Sequence, residues 1–198
     1  MTQFFKSSAL FLTFLVLTIT FSHQVLLAET KTVPKYQIIQ PPVCFTYLNE
    51  PVQFENQASA AAPIAAGMAI RDETKGPVIF RFSYEKSPPL FQKFIDYHEC
   101  AHHQTGDVDQ PHPPRNSPEH LMNESIADCV AILGIRKTLG GNQSEYEIVI
   151  DSLKEAMGKI GFPDISINSR LANINHCYAN YGSAETFVMG VLRDRGLP

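Results

Sequence analysis

The chain has 198 residues, with 16 Lys and Arg residues against 20 Asp and Glu residues, and a formal net charge of −4. That length allows one domain with a short extension. A pI near 6.0 and the lack of a Lys/Arg block argue against a nucleic-acid binder. Hydrophobic residues make up 44% of the chain, which suits a globular core and argues against a largely disordered chain.

Residues 1–28 have the pattern of a secretory signal peptide. Lys6 precedes the apolar run Ala9–Phe21, which is shorter than the about 20 apolar residues that a membrane-spanning helix needs. We expect cleavage after Ala28, which leaves residues 29–198 as a single periplasmic or secreted domain without stable membrane association. The alternative is an uncleaved N-terminal anchor, because further apolar residues follow the run.

Strand signals precede the helical part of the chain. Tyr36–Ile39 and Val43–Tyr47 are candidates for short strands, and Ala58–Ala66 fits a buried helix or a strand flank equally well. In Val78–Tyr84 every second residue is apolar and lies on the same face of an extended chain. This pattern predicts a strand with one mainly apolar face. That face carries Val78, Phe80, Phe82 and Tyr84.

The second half of the chain has helical periodicity. Leu90–His103 places aromatic residues and two histidines on one stripe, and Ser117-Pro118-Glu119 is a typical start for a second helix that ends at Gly140-Gly141. The further predicted helices are one opened by the capping box Ser144-x-x-Glu147, then Ser169–Tyr178 and Ala184–Arg193. The expected class is α+β, with a small mixed or antiparallel sheet and a mainly helical C-terminal part.

His98-Glu99-Cys-Ala-His102 is an H-E-x-x-H motif on the first predicted helix. Four residues place the two imidazoles on one side of the helix, one turn apart, as two ligands of a tetrahedral metal require. Glu99 is then close enough to reach a water at the open coordination position. The alternative is a pair of core histidines that continue the aromatic stripe.

The next predicted helix carries Glu124, 22 residues after His102, and Asp128 one turn later. Two acidic groups on an otherwise apolar stripe are unfavourable unless a cation or hydrogen-bond donors offset them. Zn²⁺ held by His98, His102 and Glu124 would supply that cation. Asp128 would accept a hydrogen bond from the outer ring nitrogen of a ligating histidine.

The two motifs together resemble those of the gluzincin zinc metallopeptidases, the thermolysin-like family. The short chain is most similar to the minimal, HtpX-like relatives, without their transmembrane helices. Gly161–Asn173 is similar to their His-Pro…Arg segment, with Phe162 in place of the histidine and Arg170 at the matching arginine. The resemblance implies a minimal zincin-like fold in which Val78–Tyr84 is an edge strand that binds extended peptide or protein substrates.

The expected activity is peptide-bond hydrolysis. Zinc lowers the pKa of a bound water to about 7, and Glu99 acts as general base and later passes the proton to the leaving nitrogen. The oxyanion needs a second donor, for which His176, Tyr178 and Tyr181 are candidates. The remaining histidines are expected in loops or at the surface; they are His103, His112 and His120.

Export implies an oxidising compartment in which the four cysteines can pair in three ways. Cys100 follows Glu99 and Cys129 follows Asp128, which favours a Cys100–Cys129 bridge and a Cys44–Cys177 bridge. A rival hypothesis makes Cys44 an inhibitory thiolate ligand of the zinc.

Two other function classes remain open at this point. One is a catalytically silent zinc-binding protein that acts as a binding or regulatory module. The other is a metal-free helical domain. The intact Glu99 favours the enzyme.

Overall fold

The structure is a computed structural model that describes residues 36–57 and 64–198. The predicted signal peptide lies outside this part of the chain, as do residues 58–63 of the undecided small-residue segment. The elements in chain order are β1 Gln53–Gln57, β2 Ala66–Asp72, β3 Gly76–Phe82, α1 Pro89–Gln104, α2 Pro118–Leu139, α3 Gln143–Lys159, α4 Asp164–Asn180 and α5 Ala184–Arg195. A small sheet followed by helices confirms the α+β class.

The sheet has the strand order β1-β3-β2, with β1 parallel and β2 antiparallel to β3. β2 and β3 form a hairpin whose turn is held by the Asp72 carboxylate, which accepts hydrogen bonds from the backbone amides of Thr74 and Lys75. Gly76 ends the turn with a φ of 77°, a left-handed conformation that glycine adopts without strain.

The prediction that Val78–Tyr84 forms an edge strand is wrong. These residues lie mainly in β3, the central strand, and the strand ends at Phe82. Ile79 and Arg81, on the face assigned as less apolar, are as buried as Val78 because α1 packs on that side. The edge strand beside α1 is β2, whose small residues give a weak strand pattern.

The other strand predictions also need correction. Tyr36–Ile39 and Val43–Tyr47 are irregular apart from an isolated bridge between Phe45 and Pro51. β1 was not predicted, because its polar sequence Gln-Phe-Glu-Asn-Gln carries one apolar residue.

Four of the five helices begin within two residues of the predicted start, whereas α4 begins at Asp164, five residues before the predicted Ser169. Ser117 caps α2 by accepting a hydrogen bond from the His120 amide. α3 starts two residues earlier than the predicted capping box requires, because Asn142 caps it instead of Ser144 and accepts from the Ser144 and Glu145 amides. The last two helices are longer than predicted.

α1 packs between the sheet and α2, and α2 also contacts α3, α4 and α5. The main core lies among these helices. Its largest fully buried apolar residues include Tyr84, Phe91, Phe94, Ile132, Ile135, Leu139, Met157 and Ile174.

A buried polar cluster fixes α1 on the sheet. The Arg81 guanidinium from β3 donates to the Asp96 carboxylate at 3.0 Å, and the Tyr84 hydroxyl donates to the same carboxylate at 2.9 Å. Burial raises the pKa of Asp96 to about 6, although Arg81 and Tyr84 oppose the shift. This cluster sets the rotation of α1 two residues before His98.

Two disulfides join Cys44 to Cys100 and Cys129 to Cys177, so both predicted pairings are wrong. The side chain of Cys100 lies about 200° around α1 from that of His98, which faces α2. Cys100 therefore packs against Cys44 and the sheet. Because Cys44 is disulfide-bonded, it is not a thiolate ligand.

Two disulfides are typical of a protein from an oxidising compartment. Within the described ranges, none of the helices combines the length and the apolar character needed to cross a membrane.

Replacing Arg81 tests the buried cluster. Arg81→Ala leaves the Asp96 carboxylate buried without its ion pair, so we expect the free energy of unfolding to fall by about 3–5 kcal/mol in urea titrations. Lys75→Ala is the control because it removes an exposed ion pair with Glu55, and it should leave stability nearly unchanged. A loss below about 1 kcal/mol for Arg81→Ala would contradict this role.

Candidate metal centre

Three metal-donor side chains converge between α1 and α2. His98 and His102 lie one turn apart on α1, and their Nε2 atoms are 3.4 Å apart. The Glu124 carboxylate, from α2, places Oε2 3.5 Å from Nε2 of His98 and Oε1 3.6 Å from Nε2 of His102. These three residues, which the sequence predicted as ligands, could bind a metal ion.

The spacing of the donor atoms fits a tetrahedral ion. Ligand atoms about 2.0–2.1 Å from zinc lie about 3.3–3.4 Å from one another in a tetrahedron. The Nε2–Nε2 separation of 3.4 Å matches that value, and each Nε2 lies 3.5–3.6 Å from one oxygen of the Glu124 carboxylate, Oε2 for His98 and Oε1 for His102. Small adjustments of the side chains would therefore be enough to close the site on an ion.

Both histidines have a carboxylate at the outer ring nitrogen. Nδ1 of His98 is 3.0 Å from Asp128, as the sequence predicted, and Nδ1 of His102 is 3.0 Å from Asp107. A carboxylate only accepts, so each Nδ1 carries a proton, and in the neutral ring the lone pair is on Nε2, which faces the other histidine. Two lone pairs and a carboxylate that converge in this way need a cation between them.

An arginine holds each of these carboxylates. Arg170 from α4 donates two hydrogen bonds of 2.7 Å to Asp128 and lies 3.3 Å from Glu124. Arg195 from α5 pairs with Asp107 and donates to the Asn123 side chain at 2.9 Å. The two arginines thus connect the C-terminal helices to the candidate ligands.

The charges around the site favour a positive group at its centre. Burial by itself lowers the pKa of His98, but hydrogen bonds to Asp128 and Glu124 outweigh it and raise the pKa to about 10. Burial would raise the pKa of Glu124, yet the hydrogen bond with His98 and the charges of His98, His102 and Arg170 hold this pKa well below its usual value. The carboxylates therefore stabilise a cation at this position, either a proton or a metal ion.

Glu99 lies beside the edge strand. Its Oε2 accepts a hydrogen bond of 2.9 Å from the Ala69 amide in β2, and burial raises the pKa of the carboxyl group. Gly67 allows this approach, because a Cβ atom there would lie 2.3 Å from Cγ of Glu99. The carboxylate thus contacts β2 and lines the same cleft as the three metal-donor residues.

A cleft of about 490 Å³ contains the site. Residues 67–71 of β2 line the cleft together with His98, Glu99, His102 and Glu124. The predicted oxyanion donors do not line this cleft. Tyr178 packs on Tyr146, while His176 and Tyr181 lie on the outer side of α4 and pack on each other.

The prediction for the other three histidines is right for His112 and wrong for His103. His103 is fully buried in α1, where Nε2 lies 3.2 Å from the Val78 carbonyl, so it is neither a loop nor a surface residue. His112 does lie in a loop, but it lines the cleft together with His120 from α2.

The sequence analysis missed Asp107 and Arg195. Asp107 follows the glycine that ends the H-E-x-x-H helix, a position that carries no general signal for a metal site. Arg195 lies far along the chain in α5, so only the packing of that helix brings it to Asp107.

Comparisons with family models, curated proteins and solved structures gave no significant match.

Replacing Asp107 tests whether the carboxylates at the outer ring nitrogens hold the histidines in place for a metal ion. We expect Asp107→Asn to lower the affinity for Zn²⁺, used as the test ion, by about ten- to a hundredfold in a chelator competition titration. The matched control is Asp109→Asn in the same short segment, because Asp109 pairs with Arg71 and does not contact a histidine. Parental affinity in Asp107→Asn would show that His102 is not held in this way.

Proposed function

We propose that this protein is an exported, zinc-dependent metallopeptidase in which His98, His102 and Glu124 hold zinc and Glu99 is the general base. One observation carries the proposal. Three metal-donor side chains converge beside a carboxylate that also contacts the edge strand β2.

Zinc is the metal that this donor set favours. Two imidazoles and one carboxylate form a typical catalytic zinc site with an open fourth position. When bound, zinc would polarise a peptide carbonyl and make a water in the cleft more acidic.

Glu99 is positioned to move the proton. The Ala69 amide engages Oε2, which leaves Oε1 to accept a proton from a water in the cleft. The same carboxyl group can then donate that proton to the nitrogen of the broken peptide bond. The contact with β2 keeps the carboxylate close to the strand on which the substrate would lie.

The form of the cleft supports an extended peptide as substrate. Among the described residues β2 pairs only with β3, and residues 67–71 of β2 line the cleft. An extended chain can add to such an edge through backbone hydrogen bonds. In this proposal β2 has the substrate-binding role that was predicted for Val78–Tyr84.

We further propose that the chain is a minimal gluzincin. The support is the H-E-x-x-H and N-E-x-x-x-D motifs on adjacent helices, together with Arg170, which lies where the resembling segment has arginine and contacts Asp128. The predicted signal peptide and the two disulfides support a periplasmic or secreted location.

The direct test of the reaction is Glu99→Gln. The amide cannot take a proton, so we expect zinc content to stay at the parental level while cleavage of a peptide library, followed by mass spectrometry, falls by about 10²- to 10⁴-fold. His98→Ala should instead lose the zinc. Parental cleavage by Glu99→Gln would refute this mechanism, and a zinc-loaded parental protein without any cleavage would favour the silent binding module.

Gly67 tests the position of Glu99 against β2. The methyl group in Gly67→Ala would overlap the Glu99 side chain, so we expect kcat to fall at least about tenfold with zinc content unchanged. Gly158→Ala in α3 is the control, because nothing lies within 4 Å of its added Cβ. Equal kcat values for the two variants would contradict the proposed contact.

A further inference from the structure

This inference rests on the proposed function and concerns the second hydrogen-bond donor to the oxyanion, which the sequence did not identify. Attack on a peptide carbonyl puts negative charge on its oxygen, and hydrolases stabilise that charge with a donor in addition to the metal. The three candidates from the sequence do not line the cleft. We propose that His120 donates this hydrogen bond from Nε2, and is therefore a further catalytic residue.

The fold places His120 next to the metal ligands. It lies one turn before Glu124 on α2, so the two side chains share a face of the helix, and both line the cleft that contains Glu99. Its backbone amide donates to the Ser117 cap at 3.2 Å. A donor on a capped helix keeps its position when the substrate arrives.

Burial identifies the nitrogen that faces the cleft. Nδ1 of His120 is buried and has no hydrogen-bond partner within the described ranges, while the residue as a whole is partly exposed. The nitrogen that a substrate can reach is therefore Nε2. A buried N–H without an acceptor is unfavourable, so the proton of the neutral ring belongs on Nε2, where it can be donated.

The neighbouring polar groups are less suited to the role. Nδ1 of His112 lies 3.0 Å from the Pro113 carbonyl and must be the donor there, so the neutral ring offers only an acceptor at Nε2. Arg71 is engaged by Glu50 and Asp109. The His112 ring stacks on His120 with centroids 6.3 Å apart and helps to fix its plane.

The chemistry needs no proton from His120. The carbonyl oxygen gains an electron pair as the attacking oxygen bonds to carbon, and it accepts the hydrogen bond more strongly as its charge grows. When the carbon–nitrogen bond breaks, the oxygen returns that pair to the carbonyl. The proton stays on Nε2 throughout, while Glu99 supplies the proton for the leaving nitrogen.

The first test measures binding of two probes to the zinc-loaded protein by calorimetry. Phosphoryl-leucine amide offers tetrahedral, charged oxygens, whereas mercaptoacetyl-leucine amide binds zinc through sulfur and imitates no oxyanion. We expect His120→Ala to lower the affinity for the phosphoryl probe by about ten- to a hundredfold and the affinity for the thiol probe by less than about twofold. Equal weakening of both probes, unchanged phosphoryl affinity, or failure of the phosphoryl probe to bind the parental protein would overturn the inference.

The second test is kinetic, with His176→Ala as matched control because it removes an exposed histidine outside the cleft. We expect His120→Ala to lower kcat by about 10²- to 10³-fold with little change in KM and full zinc content. Parental kcat in His120→Ala, while Glu99→Gln is inactive, would overturn the role of His120 and leave the proposed function intact. If the parental protein hydrolyses no peptide but His120→Ala selectively loses affinity for the phosphoryl probe, the hydrogen bond from His120 to a charged oxygen would be supported. The proposed function would then be refuted.

Discussion

The arrangement of this molecule depends on an electrostatic constraint between two packed helices. Asp128 and Asp107 bind the outer nitrogens of His98 and His102, so both neutral rings direct lone pairs inward, where they meet the Glu124 carboxylate. Such a group is stable only with a positive charge at its centre. The spacing of the donor atoms matches a metal ion, and the two arginines balance the outer carboxylates.

The rest of the fold holds those two helices in register. The Arg81–Asp96 pair fixes α1 on β3, and the Cys44–Cys100 disulfide joins α1 to the N-terminal segment. The Cys129–Cys177 disulfide joins α2 to α4, the helix that supplies Arg170. Each disulfide therefore includes a residue next to a carboxylate of the candidate site, Cys100 beside Glu99 and Cys129 beside Asp128.

The candidate ligands could be predicted from the sequence because they lie on helices, where a spacing of four residues determines the shared face. Glu124 and Asp128 were recognisable for the same reason. The neighbours that arrive through packing could not be predicted, and Asp107 and Arg195 belong to this group. His120 lies one turn before Glu124 on α2, so the same spacing could have indicated it. The edge strand was misassigned because β3 has the stronger strand pattern, whereas β2 needs small residues such as Gly67 beside Glu99. The disulfides were mispaired because adjacency in sequence to the site says nothing about which way a cysteine points from its helix.

Metal content tests the central claim most directly. Native mass spectrometry of protein purified without added zinc, and again after Zn²⁺ is supplied, would count the ions bound to each chain, with His98→Ala as the reference. The account predicts a single bound ion that is displaced by a strong chelator and is missing in the variant. A parental chain that takes up no ion, or as much as His98→Ala takes up, would contradict it.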